Sequence, residues 1–223
     1  MKEHIHHFFA YISRMRFINR WALMRNSYTE NIQEHSHMTA VLAHALAVIR
    51  NQFFDGHIDE GQVAVAALYH DAGEILTGDM PTPIKYFNPE IREAYRKVEE
   101  VADEKLLDML PPELRPVYED VLRPADPEVE ELVKAADKLS AHIKCLEELK
   151  AGNEEFRQAA RRNSSLPAFS SSRHLMWAAS LSAAFTSVST SGSAGRSKSS
   201  YAGRSSGGSI SSSFRSATRS TFL

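Results

Sequence analysis

The sequence contains one cysteine, Cys145, in 223 residues. A single thiol excludes an internal disulfide framework and is typical of proteins from a reducing compartment. No apolar run reaches the ~18 residues that a membrane-spanning helix needs. The N-terminal segment lacks the apolar core of a signal peptide, because His4, His6, His7 and Arg14 interrupt it. These absences predict a cytoplasmic protein without a membrane anchor.

Acidic residues are missing from the last part of the chain. Residues 164–223 contain no Asp or Glu, six Lys or Arg, and 22 Ser. Such a segment cannot bury enough apolar surface to order itself. Residues 1–163 carry 28 acidic and 20 basic side chains, a formal charge of −8, which argues against binding to nucleic-acid polymers. We therefore expect one domain over 1–163 and a disordered, Ser-rich basic tail over 164–223.

Sustained two-residue alternation of apolar and polar side chains is also absent from residues 1–163, whereas apolar residues recur with helical spacing. Start signals separate the helical stretches. Asn31 and Glu34 have the spacing of a capping box, and Asn88-Pro89 and Asp126-Pro127 each pair an N-cap residue with a proline at the first helical position. The pattern predicts an all-α domain of about six to seven helices.

The chemically richest stretch runs from Leu68 to Asp79. On a continuous helix, residues three or four apart share a face, so Glu74 would lie over both His70 and Asp71. An imidazole next to a carboxylate, with a second carboxylate one turn away, suits a metal-assisted hydrolytic site. A solvated helix end is the alternative interpretation, since His-Asp pairs are common on surfaces.

Two more candidate ligands lie on other predicted helices. His35 falls on the apolar face of the helix that begins at Asn31, and Asp137 lies at the edge of a later apolar stripe. A lone histidine on such a face is often a hydrogen-bonded core residue, but a carboxylate near the core needs a partner or a cation. Together with His70 and Asp71 they form a mixed N/O set suited to one divalent transition metal.

Residues 18–27 have no clean periodicity and predict a loop. This loop places Arg20, whose planar fork matches a phosphate, beside the flat ring of Trp21. The pair suits a phosphorylated or ring-bearing ligand. An ordinary surface arginine next to a packed tryptophan is the alternative.

The order His35, His70-Asp71, Asp137 reproduces the H…HD…D signature of the HD-domain metal phosphohydrolases. The resemblance spans about residues 5–160 and is specific to the bacterial 5'-deoxynucleotidase branch, with the loop after His70-Asp71 as its most distinctive part. The segments that resemble this branch are Asn19-Arg20-Trp21, Thr29-Glu30-Asn31, Glu34-His35-Ser36, Tyr69 to Glu74, Leu76 to Phe87, and Lys134-Ala135-Ala136-Asp137.

The resemblance implies an HD-domain helical bundle that works as a homodimer. It implies hydrolysis of deoxyribonucleoside 5'-monophosphates with one divalent metal, cobalt or manganese. By this resemblance the metal ligands are His35, His70, Asp71 and Asp137, and Glu74 is the catalytic acid/base. The implied contacts with the nucleotide are Arg20, Trp21, His35, Asp71, Asp79, Met80, Pro81, Thr82 and Asp137.

Two other functions stay open on the sequence. One is another hydrolase on the same scaffold, acting on a cyclic nucleotide or guanosine tetraphosphate; the loop that begins at Asp79 and the Arg20-Trp21 pair speak against it. The other is a metal-stabilised interaction module without turnover, which has no need of an acid/base residue such as Glu74. After about Arg162 the sequence departs from the family pattern, which indicates a shifted reading frame or a genuine disordered tail.

Overall fold

The computed structural model describes residues 7–164, and that range is helical, with no regular β-strand. Nine α-helices follow one another there: α1 (Phe8–Ile12), α2 (Ile32–Phe54), α3 (Glu60–Tyr69), α4 (Glu74–Thr77), α5 (Thr82–Lys85), α6 (Pro89–Leu107), α7 (Arg115–Leu122), α8 (Pro127–Lys150) and α9 (Arg157–Asn163). Two 3₁₀ helices, Ser13–Phe17 and Glu154–Phe156, accompany them. Six of the nine α-helices have seven or more residues, so the all-α prediction is confirmed.

The predicted helix starts are present as true caps. The Asn31 side chain accepts the backbone N–H of Glu34, and the Glu34 side chain accepts the N–H of Asn31, which makes a complete capping box for α2. Asn88 and Asp126 cap α6 and α8, each followed directly by a proline. These three local signals fix where the long helices begin.

The main core lies between α2, α3 and α8, which pack on one another. Their facing stripes are rich in alanine, so the helices approach closely. The fully buried members include Ala43, Ala47, Val63, Ala67, Val129 and Ala135. This packing brings residues from three distant parts of the sequence to one end of the bundle.

The segment between the 3₁₀ helix Ser13–Phe17 and α2 is a closed loop, as predicted. An antiparallel bridge joins Asn19 to Asn31. Beside it, the Arg20 N–H donates to the Glu30 carbonyl (2.9 Å) and the Ile32 N–H donates to the Ile18 carbonyl (3.0 Å). We call residues 19–31 the 19–31 loop.

The prediction of one continuous helix through His70 and Glu74 was wrong. Helix α3 ends at Tyr69, residues 70–73 form a tight turn, and α4 begins at Glu74. The turn is held by backbone hydrogen bonds between residues three positions apart, such as the one from the Ala72 N–H to the Tyr69 carbonyl (2.9 Å). Tertiary packing tightens it: Ala72 is fully buried beside α6, and a Cβ on Gly73 would lie 2.8 Å from Asp103 Oδ1.

Within residues 7–164, no helix combines the length and apolarity needed to cross a membrane. The predicted disordered tail, residues 164–223, lies outside the described residues apart from Ser164.

Candidate active site

Four predicted metal ligands meet where α2, the turn after α3 and α8 come together. The ligand atoms of His35, His70 and Asp71 all lie within 4.8 Å of one another. Asp137, from α8, joins them, since its Oδ1 is 3.0 Å from His35 Nε2 and 3.9 Å from His70 Nε2. We call these four residues the ligand cluster. The residues that bring it together are up to 102 positions apart in the sequence.

His35 is completely buried in the first turns of α2, and its ring is fixed from both sides. Nδ1 lies 3.2 Å from the Ser140 hydroxyl on α8. Nε2 faces the acids, 3.0 Å from Asp137 Oδ1 and 3.6 Å from Asp71 Oδ2. Such an outer hydrogen bond orients the imidazole of a metal ligand. His35 is therefore not simply a packed core histidine.

His70 is oriented by the end of its own helix. Its Nδ1 lies 2.8 Å from the Ala67 carbonyl, which can only accept, so Nδ1 carries the proton. The lone pair of Nε2 then faces Asp71 Oδ2, 3.3 Å away. In the described part of the chain, Nε2 is buried without a hydrogen-bond partner. A buried ring nitrogen with a free lone pair, beside a second imidazole and carboxylates, fits a divalent metal ion.

Charge at the cluster is balanced by Arg20. Its Nη1 donates to Asp71 Oδ2 over 3.1 Å. Burial acts to raise the pKa of Asp137, but the hydrogen bond from His35 and the positive charge of Arg20 act against it, and that pKa lies well below its ordinary value. Asp137 is therefore ionised, as a metal ligand must be.

Glu74 opens α4 and lies just beyond the cluster. Its Oε2 is buried, and no hydrogen-bond partner for it occurs within residues 7–164. Burial, followed by the charges of Asp71 and Asp79, raises the pKa of Glu74 to about 9. The turn at 70–73 and the start of α4 position this side chain, and not the continuous helix that the sequence predicted.

A cavity of about 190 Å³ borders the cluster at Asp137 and is also lined by Arg20. It is walled by the 19–31 loop, the α4–α5 connection, α5, α8 and α9. The lining residues from the predicted set are Arg20, Trp21, Asp79, Pro81, Thr82 and Asp137. Met80 is not among the lining residues, although both of its neighbours are. The predicted proline loop is partly helical, because Thr82 begins α5.

The match to known families agrees with this geometry. A family model described as "5'-deoxynucleotidase YfbR-like" matches residues 7–171. The chain belongs to this family. A 5'-deoxynucleotidase from Vibrio cholerae is 54% identical over 158 residues, which are 70% of this chain and 81% of that protein. The prediction of a 5'-deoxynucleotidase-type enzyme is confirmed.

Solved structures confirm the fold. An HD-domain phosphohydrolase from Listeria innocua superposes with a TM-score of 0.63 at 23% identity, covering 71% of this chain and 77% of its own. The cyanophage S-2L HD phosphohydrolase DatZ, bound to dA and one catalytic Zn²⁺, superposes with a TM-score of 0.55 at 21% identity. The superposition covers 80% of this chain and 96% of DatZ. The HD-domain bundle inferred from the sequence is therefore correct.

In this member of the 5'-deoxynucleotidase family, the structure adds residues that sequence reasoning left without a role. Glu30 contacts both Arg20 and Trp21. Ser140 fixes His35. Glu30 stands within a family-like segment and Ser140 on an apolar stripe, so each carried a weak signal. Lys138 of α8 and Arg162 and Asn163 of α9 also line the cavity, and none of them carried such a signal. The last two reach the cavity only through the packing of α9.

Proposed function

We propose that the protein hydrolyses deoxyribonucleoside 5'-monophosphates to the deoxynucleoside and phosphate, with a divalent metal held by the ligand cluster. The observation that supports this best is the meeting of His35, His70, Asp71 and Asp137 beside a cavity that also presents Arg20. Two imidazoles and two carboxylates suit one transition metal and leave positions open for water and a phosphate oxygen. Membership of the 5'-deoxynucleotidase family supports the substrate class.

A divalent metal in this position would lower the pKa of a bound water and polarise a phosphoryl oxygen. Arg20 supplies the protein's own charge to the phosphate. It reaches Asp71 with one terminal nitrogen, so its planar fork lies along the edge of the cluster where a phosphate would enter. The Arg20 side chain is only 12% exposed, so a phosphate bound there would be weakly screened by water.

Glu74 is the proposed acid/base residue. Its buried Oε2 has no partner in the described range, so it is available to hold a water molecule or to pass a proton to the leaving 5'-oxygen. A positioned group of this kind contributes about 10²–10⁴-fold to a rate. The tight turn at 70–73 keeps it beside the ligands, because α4 starts at Glu74 itself.

The cavity walls suit a nucleoside. Trp21 presents an aromatic ring, and Pro81 and Thr82 face it from the α4–α5 connection; Asp79 and Met80 complete the proposed contacts of that segment. An apolar pocket alone rejects an added hydroxyl only by about 10²-fold. We therefore propose that the rigid Arg20-Trp21 wall excludes the ribose 2'-hydroxyl by direct contact.

The proposal also covers the identity of the metal, the oligomeric state and the cellular location. Cobalt or manganese is the proposed metal, since mixed imidazole and carboxylate ligands suit these ions. A homodimer is supported by large apolar side chains at the surface near α6, among them Phe87 (77% exposed), Val98 (47%) and Val101 (53%). A cytoplasmic location is supported by the unpaired Cys145.

Phosphate release from dAMP, AMP and cyclic AMP tests the function. The protein is stripped of metal and assayed with Co²⁺ or Mn²⁺ added back. We expect hydrolysis of dAMP to exceed that of AMP, none of cyclic AMP, and none without metal. Preference for cyclic AMP or guanosine tetraphosphate would favour another HD-domain hydrolase. Stoichiometric metal without turnover of any of these compounds would favour an interaction module.

A further inference from the structure

Trp21 adopts an unusual backbone conformation. Its φ is 62°, in the left-handed region that bulky residues avoid. Such strain costs on the order of 1–3 kcal/mol and persists only where the surroundings enforce it. The Trp21 N–H donates to Asp79 Oδ2 (3.2 Å), and the ring packs at 5.2 Å from the ring of Phe156. The ring also makes a polar contact, through its Nε1–H.

Glu30 accepts that ring N–H and also reaches the neighbouring arginine. Its Oε2 lies 2.8 Å from Trp21 Nε1 and 3.3 Å from Arg20 Nε, the second being an ion-pair distance without hydrogen-bond geometry. The side chains of Arg20 and Glu30 are only 12% and 14% exposed, so solvent screens the pair weakly. One carboxylate oxygen thus serves both residues of the proposed nucleotide wall.

The backbone places Glu30 for this double contact. The Arg20 N–H donates to the Glu30 carbonyl over 2.9 Å, next to the Asn19–Asn31 bridge. The side chains of Arg20 and Glu30 therefore start from opposite strands of one short antiparallel bridge. Glu30 holds the Nε side of the guanidinium, while Asp71 takes the Nη1 end, 3.1 Å away. The guanidinium is thus held from both sides, and its Nη1 stays at the cluster.

We propose that Glu30 is a positioning residue of the active site, which fixes the Arg20 guanidinium and the Trp21 ring as one unit and so sets both nucleotide affinity and the preference for deoxyribose. Glu30 is absent from the residues that line the cavity, so it acts through Arg20 and Trp21. The consequence for turnover rests on the proposed deoxynucleotidase function, whereas the positioning itself does not.

Three substitutions separate the two contacts of Glu30. Glu30→Ala removes both. Glu30→Gln keeps an acceptor for the ring N–H and removes the charge that attracts Arg20. Trp21→Phe keeps an aromatic ring, but it removes the N–H and makes the ring smaller. Glu155→Gln is the matched control, because Glu155 binds Arg25 of the same loop, away from the cavity.

Each variant is assayed with dAMP and AMP at saturating Mn²⁺, and bound metal is measured. A charge-assisted contact is worth about tenfold or more, so Glu30→Ala should raise the KM for dAMP about tenfold or more and narrow the dAMP/AMP ratio of kcat/KM. The KM for dAMP and the dAMP/AMP ratio of kcat/KM in Glu30→Gln should lie between the values for Glu30→Ala and wild type. Metal content should stay stoichiometric in all variants, and Glu155→Gln should match wild type within about twofold.

Trp21 fluorescence gives a readout that does not depend on turnover. The sequence holds one other tryptophan, Trp177, so the measurement uses a Trp177→Phe background. Glu30→Ala should shift Trp21 emission to longer wavelength and increase quenching by iodide, while Glu155→Gln should change neither. An unchanged spectrum, or an unchanged dAMP KM and dAMP/AMP ratio in folded Glu30→Ala and Glu30→Gln, overturns the proposal. Wild-type protein inactive on dAMP but with the expected spectral change would overturn the deoxynucleotidase function alone.

Discussion

The buried ion pair between Lys144 and Glu148 connects the 19–31 loop to α8. Lys144 is 2% exposed and Glu148 is fully buried. The Lys144 ammonium donates to Glu148 and to the Tyr28 carbonyl (2.8 Å). Glu148 also accepts the backbone N–H of Ser27 (2.9 Å) and the side-chain amide of Asn153 (2.8 Å). The Lys144 ammonium and the Ser27 N–H both donate to Glu148, so removal of Glu148 should be costly.

Glu148→Leu leaves the Lys144 charge buried and takes the acceptor from the Ser27 N–H. Breaking one side of a buried pair costs about 3–5 kcal/mol, a large share of the about 5–15 kcal/mol that a domain has. At about 2–4 °C per kcal/mol for a chain of this size, the Tm should fall by roughly 6–20 °C. In Lys144→Met/Glu148→Leu no unpaired charge is left, so the Tm should recover most of this loss.

Thermal unfolding followed by circular dichroism at 222 nm measures these shifts. The matched control is Glu130→Gln, which removes the acid of an exposed pair with Lys134 on the same helix. That pair has the same four-residue spacing but is worth about 0–1 kcal/mol, so its Tm should move by less than about 4 °C. A Glu148→Leu Tm within the range of this control, or a double variant as unstable as Glu148→Leu, would refute the reasoning.

Four further predictions follow from the site and the core. Burial acts to raise the pKa of Glu148, but the hydrogen bonds that Glu148 accepts outweigh burial and lower this pKa to about 2. The ionised Glu148 should therefore stabilise the fold fully above about pH 4.5, and this contribution should be lost as the pH falls toward 2. An acid titration of the wild type should show this loss, and one of Lys144→Met/Glu148→Leu should not. Asp137→Ala should lose bound metal on dialysis, measured by elemental analysis, because one ligand is gone and His35 loses its partner; stoichiometric metal would remove Asp137 from the ligand set. Glu74→Ala should keep metal and lose about 10²–10⁴-fold in kcat on dAMP, and activity within a few-fold of wild type would exclude Glu74 from the mechanism. Burial raises the pKa of Cys145 to about 11, so a thiol reagent at pH 8 should modify it only after unfolding, and rapid modification of the native protein would contradict its burial.

The sequence by itself determined the helical architecture, because the relevant signals are local. A capping box needs only Asn31 and Glu34, three residues apart, and a helix start at Asn88 needs only the proline that follows. The order of His35, His70-Asp71 and Asp137 was equally visible, since motif order is a property of the sequence. These features predicted the fold class, the family and the candidate ligands.

Only tertiary structure decided how the site is built. Helix α3 stops at Tyr69 because Ala72 and Gly73 pack against α6, a contact with residues about thirty positions away. The prediction of a continuous helix there rested on residue spacing, which carries no information about packing against α6. The placement of Glu74 at the start of a separate helix follows from that contact.

The roles of Glu30 and Ser140 also depended on the folded state. Ser140 faces His35 across 105 positions of sequence, and Glu30 reaches Trp21 only because the loop closes on itself. A hydrogen bond between such residues has no local signature, since its geometry is set by how whole helices and loops pack. Side-chain chemistry was therefore readable from the sequence, whereas the distances that turn it into a site came from packing between remote segments.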